Sequence, residues 1–340
     1  MSSKVFVKYL NGIEQSRYGE VAKDVFEAAY RESGYHFSGS IPIKVHFGEK
    51  GNQTFVSPMH YSEIVEMLKA LGTMPLYIET NVLYRGARTT RDSHIAVAKA
   101  HGFTDLPIEI ADGERGEAYV EIPINKQYFE VCKIGSGFEK YQQMVVMSHF
   151  KGHGMGGFGG AIKQLAMGFA SRGGKMAQHA AMVPSVSQSK CTACGLCLEK
   201  CDVQAITLGP KAEIDPKCCI GCAGCIAVCP VGAIRNDWSS ENFKEKMAEY
   251  AFGACLNKSI VYVNYIINVT AECDCMGSAM EPIAKDVAIV AGLDPVALDQ
   301  ACLDLLAKSH GHPLFEAGIP MLVHGEKIGL GTRAYQLISV

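Results

Sequence analysis

Cys191-Thr-Ala-Cys194-Gly-Leu-Cys197-Leu-Glu-Lys-Cys201 is followed 28 residues later by Cys219-Ile-Gly-Cys222-Ala-Gly-Cys225-Ile-Ala-Val-Cys229-Pro230. Each copy has the spacing C-x2-C-x2-C-x3-C, and Ala205-Ile206 and Ala233-Ile234 keep the same offset behind it. The block is an internal duplication. Two-residue gaps let three successive thiolates converge on the corners of one iron–sulfur cubane, and the fourth, three residues on, points to the other cluster. The spacing therefore assigns Cys191, Cys194, Cys197 and Cys229 to one [4Fe–4S] cluster, and Cys219, Cys222, Cys225 and Cys201 to a second. Zinc knuckles and disulfides are the alternatives. Zinc takes four ligands per ion and does not call for eight cysteines in a duplicated frame. Cys218 lies outside the frame and reads as a spare thiol.

These residues resemble bacterial two-[4Fe–4S] ferredoxins over residues 185–235, and the resemblance implies electron transfer. One position departs from the ferredoxin pattern: Asp202 stands where the first copy should have proline. A carboxylate beside a cluster disfavours the added electron and lowers the potential; the plainer reading is a solvated turn residue.

Outside this block the chain is ordinary in composition. It has 340 residues, 48% hydrophobic and 20% charged, enough apolar material for a core and too much for a disordered chain. A net charge of −3 provides no field for nucleic acid or anionic membrane. Of 14 cysteines, nine fall between Cys191 and Cys229. The N-terminal MSSKVFVKYLNG has no apolar signal region, and the most apolar later run, Ser259–Ala271, carries Asn264 and Asn268 and is too short to span a bilayer. The cysteines are thus expected to be metal ligands in a reducing cytoplasm rather than disulfides. No nucleic-acid or membrane partner is expected, and a redox partner protein is.

Strand and helix signals alternate on both sides of the block. Lys4–Leu10, Pro42–Phe47, Leu76–Glu79 and Met144–His149 read as strands; Glu20–Ser33, Tyr61–Leu71 and Thr90–His101 read as helices. Ala118–Ile124 and Tyr128–Ile134 form a two-stranded excursion. After the block come a helix, Phe243–Leu256, and a strand, Ser259–Val269. In the last long helix Asp294 is an N-cap, Pro295 takes the first helical position, and Leu298, Cys302, Leu305 and Leu306 form one apolar stripe. This alternation predicts an α/β fold with a largely parallel sheet. Residues 1–184 and 236–340 are expected to form one discontinuous α/β domain, with residues 185–235 inserted as a two-[4Fe–4S] ferredoxin-like module. Three consecutive domains are the alternative.

From Lys140 to Leu198 there is no Asp or Glu, yet Lys140, Lys151, Lys163, Arg172, Lys175 and Lys190 all lie there. Within this stretch His149-Phe-Lys-Gly-His153-Gly-Met-Gly-Gly-Phe-Gly-Gly160 runs into a helix expected over Ala161–Ala170. A glycine-rich turn ahead of a helix N-terminus can offer amide donors to an anion. Gly154, Gly157, Gly159, Gly160 and Lys175 are therefore candidates to bind an anionic substrate or cofactor. The plainer reading is that the positive charge offsets two anionic clusters. A dinucleotide site is not indicated, because no acidic ribose ligand follows. Phe169–Met176 approaches the phosphate-loop pattern but puts Phe169 at its first glycine and Met176 at its Ser/Thr, which argues against a nucleoside triphosphate.

Ile43–Gly48, Thr89–His94, His149–His179, Glu272–Gly277 and Ala291–Asp304 resemble the broad family known as domain of unknown function 362, often fused to ferredoxins. A fainter similarity, to nickel-pincer lactate racemases, lies in the order of His153, Gly157-Phe-Gly-Gly160, Lys163 and His179. That similarity implies His153 as an acid/base, Lys163 as the cofactor-bearing lysine and His179 as a metal ligand, with His94 a second acid/base. Each histidine is equally readable as a structural residue. Cys273 and Cys275, one residue apart on a turn, can contribute to another metal or redox site or simply be buried; Cys132, Cys255 and Cys302 read as core.

The leading expectation is an iron–sulfur oxidoreductase whose ferredoxin module relays low-potential electrons to an anion-binding pocket on the α/β domain. The alternatives are a pure electron carrier whose α/β domain docks partners, and a pincer-type isomerase with structural clusters.

Overall fold

The computed structural model describes residues 2–84, 86–179, 183–201, 203–219, 221, 223–235 and 241–340, so Cys222 and Asp202 lie outside the described residues. The chain runs β1 (Ser3–Tyr9), α1 (Tyr18–Ser33), β2 (Ser40–Lys44), α2 (Ser62–Ala70), β3 (Met74–Glu79), α3 (Arg91–Ala100), β4 (Ile108–Ile110), β5 (Tyr119–Pro123), β6 (Val131–Gly135) and β7 (Gln143–His149). There follow β8 (Lys151–His153), β9 (Gly157–Gly159), α4 (Ala161–Phe169) and α5 (Arg172–His179). The cysteine block holds β10 (Ser185–Val186), α6 (Leu196–Glu199), β11 (Ile206–Leu208), β12 (Ala212–Ile214), α7 (Gly224–Val228) and β13 (Ile234–Arg235). The last elements are α8 (Phe243–Cys255), β14 (Ser259–Ile266), β15 (Ala288–Gly292), α9 (Pro295–His310), α10 (Ile319–Lys327) and β16 (Tyr335–Ser339).

Eight strands form one sheet in the order β16-β1-β15-β14-β7-β2-β3-β4. Only β15 runs against its neighbours; the pairs β1–β16, β14–β7, β7–β2, β2–β3 and β3–β4 are parallel. This is the α/β fold with a largely parallel sheet that the alternation predicts. Strands β14 and β15 follow the cysteine block, yet they lie between β1 and β7, which precede it.

Side chains on a strand alternate between faces. On β7, Met144 and Val146 enter one core and Val145 and Met147 the other; on β14, Ile260 and Tyr262 oppose Val261 and Val263. Helices α1 and α2 cover one face with Val25, Phe26 and Leu68, while α4, α8 and α9 cover the other with Leu165, Tyr250 and Leu298. A parallel sheet needs both faces covered in this way. Helix α9 starts as read from sequence: the Asp294 carboxylate accepts the Val296 and Ala297 N–H groups, and Pro295 follows it.

From β2 the chain winds outward through β3 to β4, then returns to place β7 on the opposite side of β2. Ligand sites in such sheets lie beyond the carboxyl ends of the strands at the point where the winding reverses. Here that point is the gap between β2 and β7.

One local expectation changes. The glycine-rich stretch is not an open turn but a hairpin, with β8 paired antiparallel to β9. Phe169–Met176, whose letters approach the phosphate-loop pattern, runs from the last residue of α4 into α5.

Candidate functional site

A cavity of about 290 Å³ opens where the winding reverses. His46 comes to it from beyond β2, Glu79 and Thr80 from the end of β3, and Ser148 and His149 from the end of β7. The hairpin and the helix behind it supply Lys151, His153, Gly154, Gly159, Gly160, Lys163 and Met167, α5 supplies Lys175 and His179, and the turn after β14 supplies Cys273 and Cys275. Residues separated by more than a hundred positions thus meet on one wall.

The wall is built around a buried carboxylate. Asp274 accepts from His149 Nδ1 at 2.9 Å and pairs with Lys151 Nζ at 3.0 Å, while His149 Nε2 lies 2.7 Å from the Ile267 carbonyl oxygen. Burial opposes the Asp274 charge, but His149 and Lys151 hold its carboxyl well below the usual carboxylate range. Fixing Asp274 fixes the two thiols that flank it. Lys163 Nζ donates to Cys273 Sγ at 3.0 Å, and the Cys275 N–H donates to the same sulfur at 3.4 Å. A hydrogen bond from the Cys275 thiol, together with Lys163 and Lys151, outweighs burial and holds the Cys273 thiol well below its ordinary value; Cys275, as the donor to it, is pushed well above. Burial works against the Lys163 ammonium, yet the sulfurs and Asp274 keep its pKa above the ordinary lysine value.

His153 and His179 are neutral imidazoles. Burial, then Lys163 for His153 and His153 itself for His179, pulls each imidazole down to about 3. The Gly156 N–H donates to His153 Nδ1 at 2.8 Å, and His179 stacks on Phe243 with ring centroids 4.5 Å apart. Lys175 donates to Thr80 Oγ1 and to the Ala170 carbonyl, both at 2.6 Å, and burial lowers its ammonium below the ordinary value.

The structure brings together most of the residues picked from sequence. His153, Lys163, His179, Lys175, Gly154, Gly159, Gly160, Cys273 and Cys275 all line the cavity. Two do not. His94 lies fully buried on α3 with its ring 5.6 Å from and edge-on to Phe47, away from the cavity lining. Burial first, then Arg88, holds its ring neutral, so its place as an acid/base is corrected to a core position. Gly157, with φ +82°, is a packing glycine: a Cβ there would lie 2.1 Å from the Gly318 nitrogen.

The expected anion cradle is also corrected. The Ala161 and Ile162 N–H groups at the start of α4 already bond the buried Asp299 carboxylate at 2.7 and 2.9 Å, and Gly154 N–H bonds Glu272. The acid-free stretch gets its carboxylates from the C-terminal third of the chain. What sequence reasoning missed is His46, Arg88 and Asp274; of these, His46 and Asp274 stand inside the family-like segments quoted above, the one available signal, while Lys151 is read there only as one of the basic residues of the acid-free stretch.

In the cysteine block, α6 and α7 begin 28 residues apart, as do β11 and β13. Cys191, Cys194, Cys197 and Cys229 line one small cavity; Cys201, Cys219 and Cys225 line a second. Among the described residues, the fourth cysteine of each copy therefore stands with cysteines of the other copy's triplet. Backbone N–H groups of Ala205 and Ala233 donate to Cys201 Sγ and Cys229 Sγ, each at 3.2 Å. Converging sulfurs with amide donors fit an anionic iron–sulfur cluster, whose potential such bonds tune. Cys218 is exposed, and its thiol donates to Asp215. Cys132 and Cys302 are buried, while Cys255 is only partly so.

Known proteins resemble the chain in two ways. The cysteine block is 49% identical over 51 residues to a ferredoxin from Alicyclobacillus acidocaldarius, spanning 14% of this chain and 65% of that one. It is 43% identical over 54 residues to indolepyruvate oxidoreductase subunit IorA from Pyrococcus abyssi, spanning 15% of this chain but only 8% of that subunit. The lactate racemase apoprotein from Thermoanaerobacterium thermosaccharolyticum superposes with a TM-score of 0.41 and 14% identity, covering 78% of this chain and 51% of that one. The block is thus a ferredoxin-like iron–sulfur module. Among the described residues, no helix is long and apolar enough to cross a membrane. The domain of unknown function (DUF362) matches residues 41–304, a span that includes both the cavity wall and the cysteine block, and the chain belongs to that family.

Proposed function

We propose that the chain is an iron–sulfur oxidoreductase in which the ferredoxin module exchanges low-potential electrons with a small anionic substrate held in the cavity between β2 and β7. One contact carries this reading. Ala223 lines the cavity that holds Cys201, Cys219 and Cys225, and it packs against Leu83 and Met176. Leu83 in turn lines the larger cavity. The packed pair Ala223 and Leu83 thus joins the linings of the two cavities.

When bound, [4Fe–4S] clusters at the two cysteine sets supply one-electron transfer. The cavity residues bind and orient. Arg88, Lys151, Lys163 and Lys175 bring charged donors to the lining, each anchored by a fixed partner, Glu49, Asp274, Cys273 and Thr80 in turn, and so placed to orient an anion. Burial keeps the His153 and His179 rings neutral, so they add no charge to the lining. Lys163, tied to Cys273, holds positive charge at the wall where negative charge would develop.

The test is single-turnover reoxidation of anaerobic, dithionite-reduced protein by a panel of small oxyanions and disulfides. Lys163→Met touches no cluster cysteine. It should leave the iron content and reduced-state spectrum unchanged and abolish reoxidation by the acceptor that works on the parent protein. Equal reoxidation of parent and variant by every acceptor would favour a carrier whose α/β domain only docks partners.

A further inference from the structure

The sequence leaves Cys273 and Cys275 open between a metal site, a redox site and plain burial, and the geometry points to the second: we infer that they form a redox-active dithiol that exchanges with small-molecule disulfides in the cavity. This deepens the proposed function, and rests on it in naming the acceptor class.

His153, Cys273 and Cys275 offer donor atoms within 4.8 Å of one another, which raises the rival of a three-ligand metal site. The imidazole argues against it. With the Gly156 N–H donating to Nδ1, the neutral ring carries its proton on Nε2, so neither nitrogen has a lone pair to spare. The sulfurs are arranged for thiol chemistry instead. The Met276 N–H bonds the Cys273 carbonyl at 2.9 Å, closing a turn with Asp274 and Cys275 at its centre and folding the two side chains toward each other. Lys163 stabilises a thiolate at Cys273, and both sulfur-bearing residues line the cavity. A thiolate beside a lysine is the attacking form.

The exchange balances as follows. The Cys273 thiolate attacks one sulfur of R–S–S–R, forming a Cys273–S–R bond and releasing RS⁻. The Cys275 thiol gives up its proton to RS⁻ or solvent, and its sulfur attacks Cys273 Sγ, forming the Cys273–Cys275 bond and releasing a second RS⁻. The protein pair loses two electrons, and the disulfide becomes RS⁻ and RSH. Two electrons and one proton, from two thiols that pair as a disulfide or from two one-electron donors and solvent, restore the pair.

The test uses the anaerobic, cluster-loaded protein equilibrated in reduced and oxidised glutathione buffers, alkylated with iodoacetamide and mapped by peptide mass spectrometry. Cys273 and Cys275 should become protected together, as one two-electron couple that changes tenfold per ~30 mV. Cys275→Ser should trap one glutathionyl group on Cys273, and Lys163→Met should slow that capture, with iron content unchanged in both. Alkylation of both cysteines at every buffer ratio, or independent oxidation of each, would overturn the inference. So would one equivalent of zinc in the purified protein that shields both thiols. Because glutathione drives the couple directly, failure here is distinct from failure of the module, which the reduced-state cluster spectrum reports in the same sample.

Discussion

Gly157 and Gly154 lie three residues apart in one glycine-rich hairpin, and replacing each with alanine should have opposite consequences. At Gly157 an added Cβ would meet Gly318 N at 2.1 Å, Gly318 Cα at 2.5 Å and Ala317 C at 2.7 Å, all backbone, with φ at +82°. The left-handed conformation costs an alanine about 1–2 kcal/mol. Forcing backbone apart in a packed site adds about 1–3 kcal/mol. The stiffer unfolded chain returns about 0.4–1 kcal/mol. The net destabilisation is about 2–4 kcal/mol. At roughly 2.1 cal/mol/K of unfolding entropy per residue, a 340-residue chain loses roughly 1.4 °C of thermal midpoint per kcal/mol, so Gly157→Ala should lower it by roughly 3–6 °C. At Gly154 the nearest atom is a Glu272 carboxylate oxygen at 3.3 Å, at the end of a side chain, and no positive φ is required. Gly154→Ala should therefore stay within about 1 kcal/mol of the parent protein. Thermal unfolding of the two variants by circular dichroism at matched iron content decides the matter. A parent-like midpoint for Gly157→Ala, with a large drop for Gly154→Ala, would refute the assignment of Gly157 to packing and Gly154 to the cavity wall.

Two further outcomes follow from buried charge. Lys44→Met removes the partner 2.7 Å from Glu79 in a buried pair and should cost about 3–5 kcal/mol, measured as a drop in the thermal midpoint; a change under about 1 kcal/mol would mean Glu79 is neutralised some other way. Asp274 has a depressed folded-state pKa, so its contribution is full above the unfolded value of about 3.9 and is lost as pH falls through the folded value. The stability gap between the parent protein and Asp274→Asn should thus be constant near neutrality and close only below about pH 4; a gap that closes between pH 8 and pH 6 would contradict it.

What could be read from sequence was local. The duplicated cysteine frame, the Asp294-Pro295 start of α9 and the strand–helix alternation each depend on neighbours within a few residues, and each matches the folded chain. What escaped was nonlocal. Nothing near Ala161 shows that Asp299, 138 positions on, will take up its N–H and so close the helix end to an anion. Nothing near Gly157 shows Gly318 packed against it. The absence of acids from Lys140 to Leu198 is real, but charge balance is set in space, where Asp274 and Glu272 arrive from another strand end. His94 was misplaced for a related reason. Its periodic position on α3 marks a buried face, and the same burial that makes a histidine look special also removes it from the cavity.

The proposed function requires electrons to pass between the cysteine set of Cys201, Cys219 and Cys225 and the larger cavity by way of Ala223 and Leu83. The most direct measurement compares single-turnover reoxidation of dithionite-reduced Cys201→Ala and Cys191→Ala, with oxidised glutathione as acceptor and iron and sulfide determined on each sample. Each variant should lose about half the iron of the parent protein, as expected for two four-iron clusters. Cys191→Ala, which leaves the set nearest the cavity intact, should keep most of the reoxidation rate, whereas Cys201→Ala should lose it while its remaining cluster still reduces. Parent-like reoxidation in Cys201→Ala, or loss confined to Cys191→Ala, would contradict the account.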